Sequence, residues 1–173
     1  MLTQQVTADI WAWIQDFVEV NHKFYNYRFP PCPYAKAARL KGLVDVHAYE
    51  RNPVEWTLNL IADLALHPQY NVRVLAFPYW MRWNYLLRWR IDRLNRTLVE
   101  DDYYAQYGAA VATHSCYPGP FKGRPYFVVI INKVSDVVSA QAALARTDYY
   151  HNWTQQHYDR VVSRRDRIVK GLE

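Results

Sequence analysis

Apolar residues recur at three- and four-residue spacing over residues 8–22. Ile10, Trp13, Ile14, Phe17 and Val18 alternate with Asp9, Gln15, Asp16 and Glu19, which predicts an amphipathic helix. Three prolines in four positions, at Pro30, Pro31 and Pro33, end any helix and make 28–34 a Pro/Cys loop. Residues 35–40 fit a short helical turn closing at Gly42. The alternation over 43–49 predicts a strand. Asn52-Pro53 with Glu55 reads as a helix start, and Trp56, Leu60, Ile61 and Leu64 continue its apolar stripe to Leu66.

The second half repeats the rhythm. Residues 72–77 form a short apolar strand closed by Pro78, and 82–98 a long helix. A third strand over 104–113 is weakened by Gly108. The eleven residues 114–124 are rich in breakers and read as a loop. Tyr126 to Ile131 is the strongest strand pattern and predicts burial on both faces. Ser135 is placed as the cap of a helix to about 146, and a final helix spans 154–169. With no repeat or low-complexity linker, residues 1–173 are expected to form a single domain with an α/β core over 43–147.

The element order is βαβαββα behind an N-terminal helix. It predicts an α/β fold with a mixed four-stranded sheet covered by helices. Strands one and two are parallel across a right-handed crossover, and strands three and four are antiparallel. This order resembles thioredoxin-like topology, which implies that strand three lies beside strand one and antiparallel to it. The alternative, a ferredoxin-like sandwich, needs the order βαββαβ.

Composition narrows the function classes. Hydrophobic residues at 51% and charged residues at 21% exclude a disordered chain, while seven Trp and fifteen Tyr make it unusually aromatic. A net charge of +5 favours acidic partners: nucleotides, membranes, nucleic acids or acidic proteins. Two cysteines, Cys32 and Cys116, are too few for a disulfide framework and fit a reducing, cytoplasmic location. No basic-then-apolar leader is seen, nor an apolar run near the ~20 residues that would span a membrane. Asn95-Arg96-Thr97 and Asn152-Trp153-Thr154 match the glycosylation pattern, which a cytoplasmic protein leaves unmodified.

Chemistry has three candidate locations. At the first, Pro33 after Cys32 places the cysteine as a helix N-cap, where backbone N–H groups and nearby Lys36, Arg39 and Lys41 would lower the thiol pKa. The opposed reading is a packed cysteine among prolines and Tyr34. Trp13 in a leading helix, the run Cys32-Pro33-Tyr34-Ala35-Lys36 and Gly42 before a strand together resemble a bacterial domain family of unknown function. That family carries Cys-Pro-Phe-Ala-Lys at this place; Tyr34 replaces the usual Phe. The resemblance covers about the first fifty residues and implies no activity.

The second location is His114-Ser115-Cys116, whose imidazole and thiol can reach one centre. A loop histidine on a turn is the opposed reading. Under thioredoxin-like topology the end of strand three meets the start of strand one, bringing His114 and Cys116 to Cys32. Cys32 and His114 would then be nucleophile and base, or with Cys116 three ligands of zinc or another transition metal. Tyr34, Lys36, Tyr117, Phe121 and Arg124 would line the pocket around a small anionic ligand.

The third location is the helix bearing Arg82, Trp83, Tyr85, Arg88, Trp89, Arg90, Arg93 and Arg96. Its five arginines against Asp92 give a formal charge near +4. Interleaved Trp and Arg can stack bases and hold phosphates. Solvated arginines, or arginines paired with Glu100, Asp101 and Asp102, are the opposed reading. Arg160, Arg164, Arg165, Arg167 and Lys170 on the last helix are placed as surface charge.

No Gly-rich phosphate loop, nucleophile elbow or His-Glu-x-x-His sequence is present. The leading expectation is a Cys/His site that binds a small anion or a metal, with thiol-based catalysis as its chemistry. The alternative is a non-catalytic interaction protein that binds nucleic acid or an acidic protein through a basic aromatic surface.

Overall fold

The computed structural model describes residues 2–49, 67–78, 80–81, 85–110 and 126–171. Four strands form one mixed sheet: β1 (Val44–Ala48), β2 (Val72–Pro78), β3 (Tyr103–Ala110) and β4 (Tyr126–Lys133), in the spatial order β1-β2-β4-β3. The centre goes to the strands with the longest buried runs. β2 buries residues 73–77 without interruption, and β4 buries Phe127, Val128, Val129 and Ile131. They run antiparallel, with Val74 opposite Ile130 and Phe77 opposite Phe127. β1 pairs parallel with β2, and β3 pairs antiparallel with β4, as the sequence predicts.

The thioredoxin-like expectation is corrected. β1 and β3 are the two edges of the sheet, separated by β2 and β4, and their shared relation to the central pair makes them parallel to each other. The ferredoxin-like alternative fails too, because its sheet is wholly antiparallel whereas β1 and β2 are parallel neighbours. Polarity alone does not set the edges: Asp45 lies on the edge strand β1, but its partner Arg73 is buried on the central strand β2 and donates to Asp45 Oδ2 at 2.8 Å.

Helices cover both faces. α1 (Leu2–Trp13) continues through a π turn (Ile14–Val18) and packs Ile10 and Ile14 against Val46, Val74, Ala76 and Val128. It starts before residue 8 and ends before 22, where His22 instead accepts the Phe24 N–H through Nδ1 at 3.2 Å and starts a separate 3₁₀ turn. α2 (Ala35–Leu40) has the predicted bounds. Gly42, at φ +68°, lets the chain reverse: its N–H donates to Arg39 and that of Leu43 to Ala38, the paired bonds of a Schellman stop. The chain then enters β1. The predicted helix over 52–66 and loop over 114–124 lie outside the described residues.

α3 (Tyr85–Leu98) covers the opposite face with Leu87, Ile91 and Leu98, packed on Leu75, Phe77, Phe127, Val129 and Ile131. Asn95, in the first glycosylation triplet, is fully buried in the same layer. α4 (Val134–Leu144) follows β4, but Ser135 is not its cap. That role falls to Asp102, held in the left-handed region at φ 65°, whose carboxylate accepts the Ser135 N–H at 2.8 Å and hydroxyl at 2.6 Å.

The final helix comprises α5 (Gln155–Tyr158), a π turn (Asp159–Ser163) and α6 (Arg164–Val169). Thr154 caps it by accepting the His157 N–H. Its arginines are not all surface charge: Arg165 is buried, donating to Gln141 and Asp166. An aromatic group ties this end of the chain to the loop after α1. Tyr25 stacks on Tyr149 at 4.6 Å, Trp153 donates to the Tyr25 hydroxyl, and Tyr149 donates to the Pro31 carbonyl. No helix among the described residues is long and apolar enough to cross a membrane.

Candidate functional site

The strand order removes the premise that joined Cys32 to His114. β1 starts beside the start of β2, whereas β3 ends beside the start of β4, at the other end of the sheet. The edge strands are also three spacings, about 14 Å, apart. His114, Cys116, Tyr117, Phe121 and Arg124 lie outside the described residues. Among those described, no three His, Cys, Asp or Glu side chains converge in a way that could hold a metal ion.

Cys32 itself has a different electrostatic setting from the one its sequence predicts. Tyr34, not Cys32, is the residue at the N-terminus of α2, and the Cys32 N–H donates to the Val18 carbonyl at 3.1 Å. Part of the residue is exposed to solvent. Even so, the protein packed around the sulfur desolvates it and raises the thiol pKa, against the opposing pull of the Tyr34 and Ala35 N–H groups. The Glu19 carboxylate adds to the rise. Arg39 does not offset it, because its guanidinium is engaged by Glu19 through two bonds of 2.7 and 2.8 Å. Tyr34 donates to the Ala140 carbonyl at 3.3 Å, and Lys36 is exposed. The expected lowering of the thiol pKa is therefore corrected.

The third location forms a defined cleft. α3 buries Leu87, Ile91, Asn95 and Leu98 on one side, and helical periodicity turns Tyr85, Trp89, Arg93 and Arg96 to the other. α6 lies against α3 there, leaving a half-open cleft of about 250 Å³ lined by Trp89, Asp92, Arg93, Arg96, Arg164 and Ile168. Three arginines face one carboxylate in this space.

The charges in the cleft are unevenly matched. Arg164 donates to Asp92 Oδ2 at 2.8 Å, and the Tyr107 hydroxyl donates to the same oxygen at 3.4 Å. Burial lowers the Arg164 pKa, but the bonds to Asp92 and Tyr107 outweigh it and raise it, so Arg164 is a permanent cation. Arg93 lies over the Trp89 ring at 5.5 Å, and Arg88 over Tyr107 at 5.6 Å. Arg90, Arg93 and Arg96 have no carboxylate partner among the described residues, and Glu100 and Asp101 form no ion pair with them there. The paired-arginine reading of this helix is thus not what the described residues show. Arg82 lies outside them.

Two exposed aromatic residues, Tyr85 and Trp89, lie one turn apart on this side of α3. Tyr85 is 74% exposed and Trp89 54%, with Leu86 next to Tyr85 in the chain. Sequence reasoning identified the arginines and Trp89 but missed Arg164, Ile168 and the role of Asp92. Arg164 is 72 residues from Asp92 in the chain, and the spacing of charges on its own helix carries no sign of that contact.

No family model, curated protein or solved structure matches this chain. Roles for the cleft residues therefore come from their geometry.

Proposed function

We propose that the protein binds single-stranded nucleic acid along the exposed side of α3, with the cleft against α6 as the centre of the contact. The observation that carries this reading is the combination at Trp89. A half-exposed indole, free on part of its surface, stands among Arg90, Arg93 and Arg96, which lack carboxylate partners among the described residues. An indole face accepts any base by stacking, and guanidinium groups a turn apart meet successive phosphates. Tyr85, one turn before Trp89 on α3, extends the aromatic surface. The net charge of +5 adds a general attraction for a polyanion.

A duplex-reading mode has less support, since the bases that an indole stacks on are covered in a double helix. An acidic protein segment would satisfy the arginines and leave the exposed indole without a stacked partner. The test is fluorescence anisotropy of a labelled mixed-sequence single strand, with duplex and polyglutamate as comparison ligands. Saturable, salt-sensitive binding of the single strand, lost in Arg93→Ala/Arg96→Ala, is the expected result. Binding of polyglutamate alone would transfer the surface to an acidic protein partner, and binding of neither ligand ends the proposal.

A further inference from the structure

We infer that a bound single strand crosses the cleft from α3 to the last helix, where Arg160 holds its backbone on the far wall. This deepens the single-strand reading above and rests on it. Arg160 comes four residues before Arg164, inside the π turn, so the two side chains leave the helix on one side, a turn apart. Arg164 lines the cleft, which turns that side toward α3. Arg160 is exposed and continues the wall by one turn.

The two arginines differ in the group that orients them. Arg164 donates to Asp92, and a guanidinium matched by a carboxylate has little net charge to offer a phosphate. Arg160 instead lies 3.1 Å from Nδ1 of His157. A guanidinium has no acceptor and keeps its protons, so this Nδ1 accepts through its lone pair and bears no proton. The bond orients Arg160 without neutralising it. His157 packs in turn on the Trp153 ring at 4.3 Å. Arg160 has no carboxylate partner among the described residues. Arg93 is arranged alike on the α3 wall, its guanidinium over the uncharged Trp89 ring. Cations oriented by uncharged groups therefore stand on both helices, with the Arg164–Asp92 pair joining the two walls. A chain of phosphates can engage both walls at once, each through charge-assisted hydrogen bonds.

The experiment measures the affinity of a labelled oligothymidylate of about 15 nucleotides across a series of salt concentrations. One phosphate contact to a single strand adds about −0.7 to the slope of log affinity against log salt, so Arg160→Ala should be shallower than wild type by about 0.7. Arg160 is exposed, and its removal leaves the packed side of the helix intact. Lys41→Ala removes an exposed positive charge at the end of α2, ahead of the edge strand farthest from β3, and should keep the wild-type slope. A wild-type slope in Arg160→Ala overturns the crossing and leaves single-strand binding on α3 intact. Equal flattening in Lys41→Ala also overturns it, because the effect would then belong to net charge and not to a contact. Failure of the wild-type protein to bind the strand overturns both readings.

Discussion

Asn95 and Ala105 are joined by two hydrogen bonds across the outer edge of the sheet: Asn95 Nδ2 donates to the Ala105 carbonyl at 2.9 Å, and its Oδ1 accepts the Ala105 N–H at 2.7 Å. β3 is an edge strand, and an edge residue whose polar groups point away from its neighbour needs a partner or water. A fully buried amide on α3 takes the place of a fifth strand at this residue. The same contact fixes the rotation of α3 on the sheet and with it the outward direction of Trp89 and Arg93.

Replacing Asn95 with Ala should therefore be costly. Both backbone groups of Ala105 lose their partner in a buried site, which predicts a loss of about 2–4 kcal/mol. Urea unfolding of Asn95→Ala against wild type measures it. A loss below ~1 kcal/mol would mean that water reaches the β3 edge.

Trp89 should behave in the opposite way. Being exposed, Trp89→Ala is expected to change stability by no more than about 0.5 kcal/mol. Its loss from a stacking site should weaken single-strand binding by about 1–3 kcal/mol. Paired unfolding and anisotropy measurements separate the effects, and equal effects on both would assign Trp89 to folding.

Salt dependence tests the arginines. Each phosphate contact to a single strand adds about −0.7 to the slope of log affinity against log salt. Arg93→Ala/Arg96→Ala should make that slope shallower by about 1.4 if each arginine holds one phosphate. An unchanged slope with reduced affinity would show that they act on something other than the backbone of the strand.

The Cys32 thiol should react slowly at neutral pH. Its pKa is raised by desolvation, so alkylation in a Cys116→Ser background should keep accelerating beyond the ~8.5 of an ordinary thiol. A plateau below that value would restore the thiolate reading.

Tyr150 predicts a weakness at high pH. Burial, reinforced by Tyr158, pushes its pKa from 10.0 up to about 12, with Arg165 opposing. The folded chain then holds the phenolic proton more tightly than the unfolded chain. This contribution to stability is complete below pH 10 and is lost as pH rises from 10 to about 12. Tyr150→Phe should flatten the decline in stability across that interval, measured by denaturant unfolding at successive pH values.

Local features of the chain were readable from residue order. The stop at Gly42 follows from its freedom at positive φ, and the buried character of β4 from an unbroken apolar run. The parallel β1–β2 pair and the antiparallel β3–β4 pair also matched their connections. Polarity did not mark the edge strands, because central β2 carries the buried Arg73 as partner of Asp45 on the edge. Which strands become neighbours depends on matching two-sided apolar surfaces far apart in the chain, and element order does not encode that match. The same holds for the cleft. Periodicity placed Trp89 and Arg93 on one side of α3, but only folding brought Arg164 to Asp92, because that contact depends on where two helices separated by the last two strands come to rest.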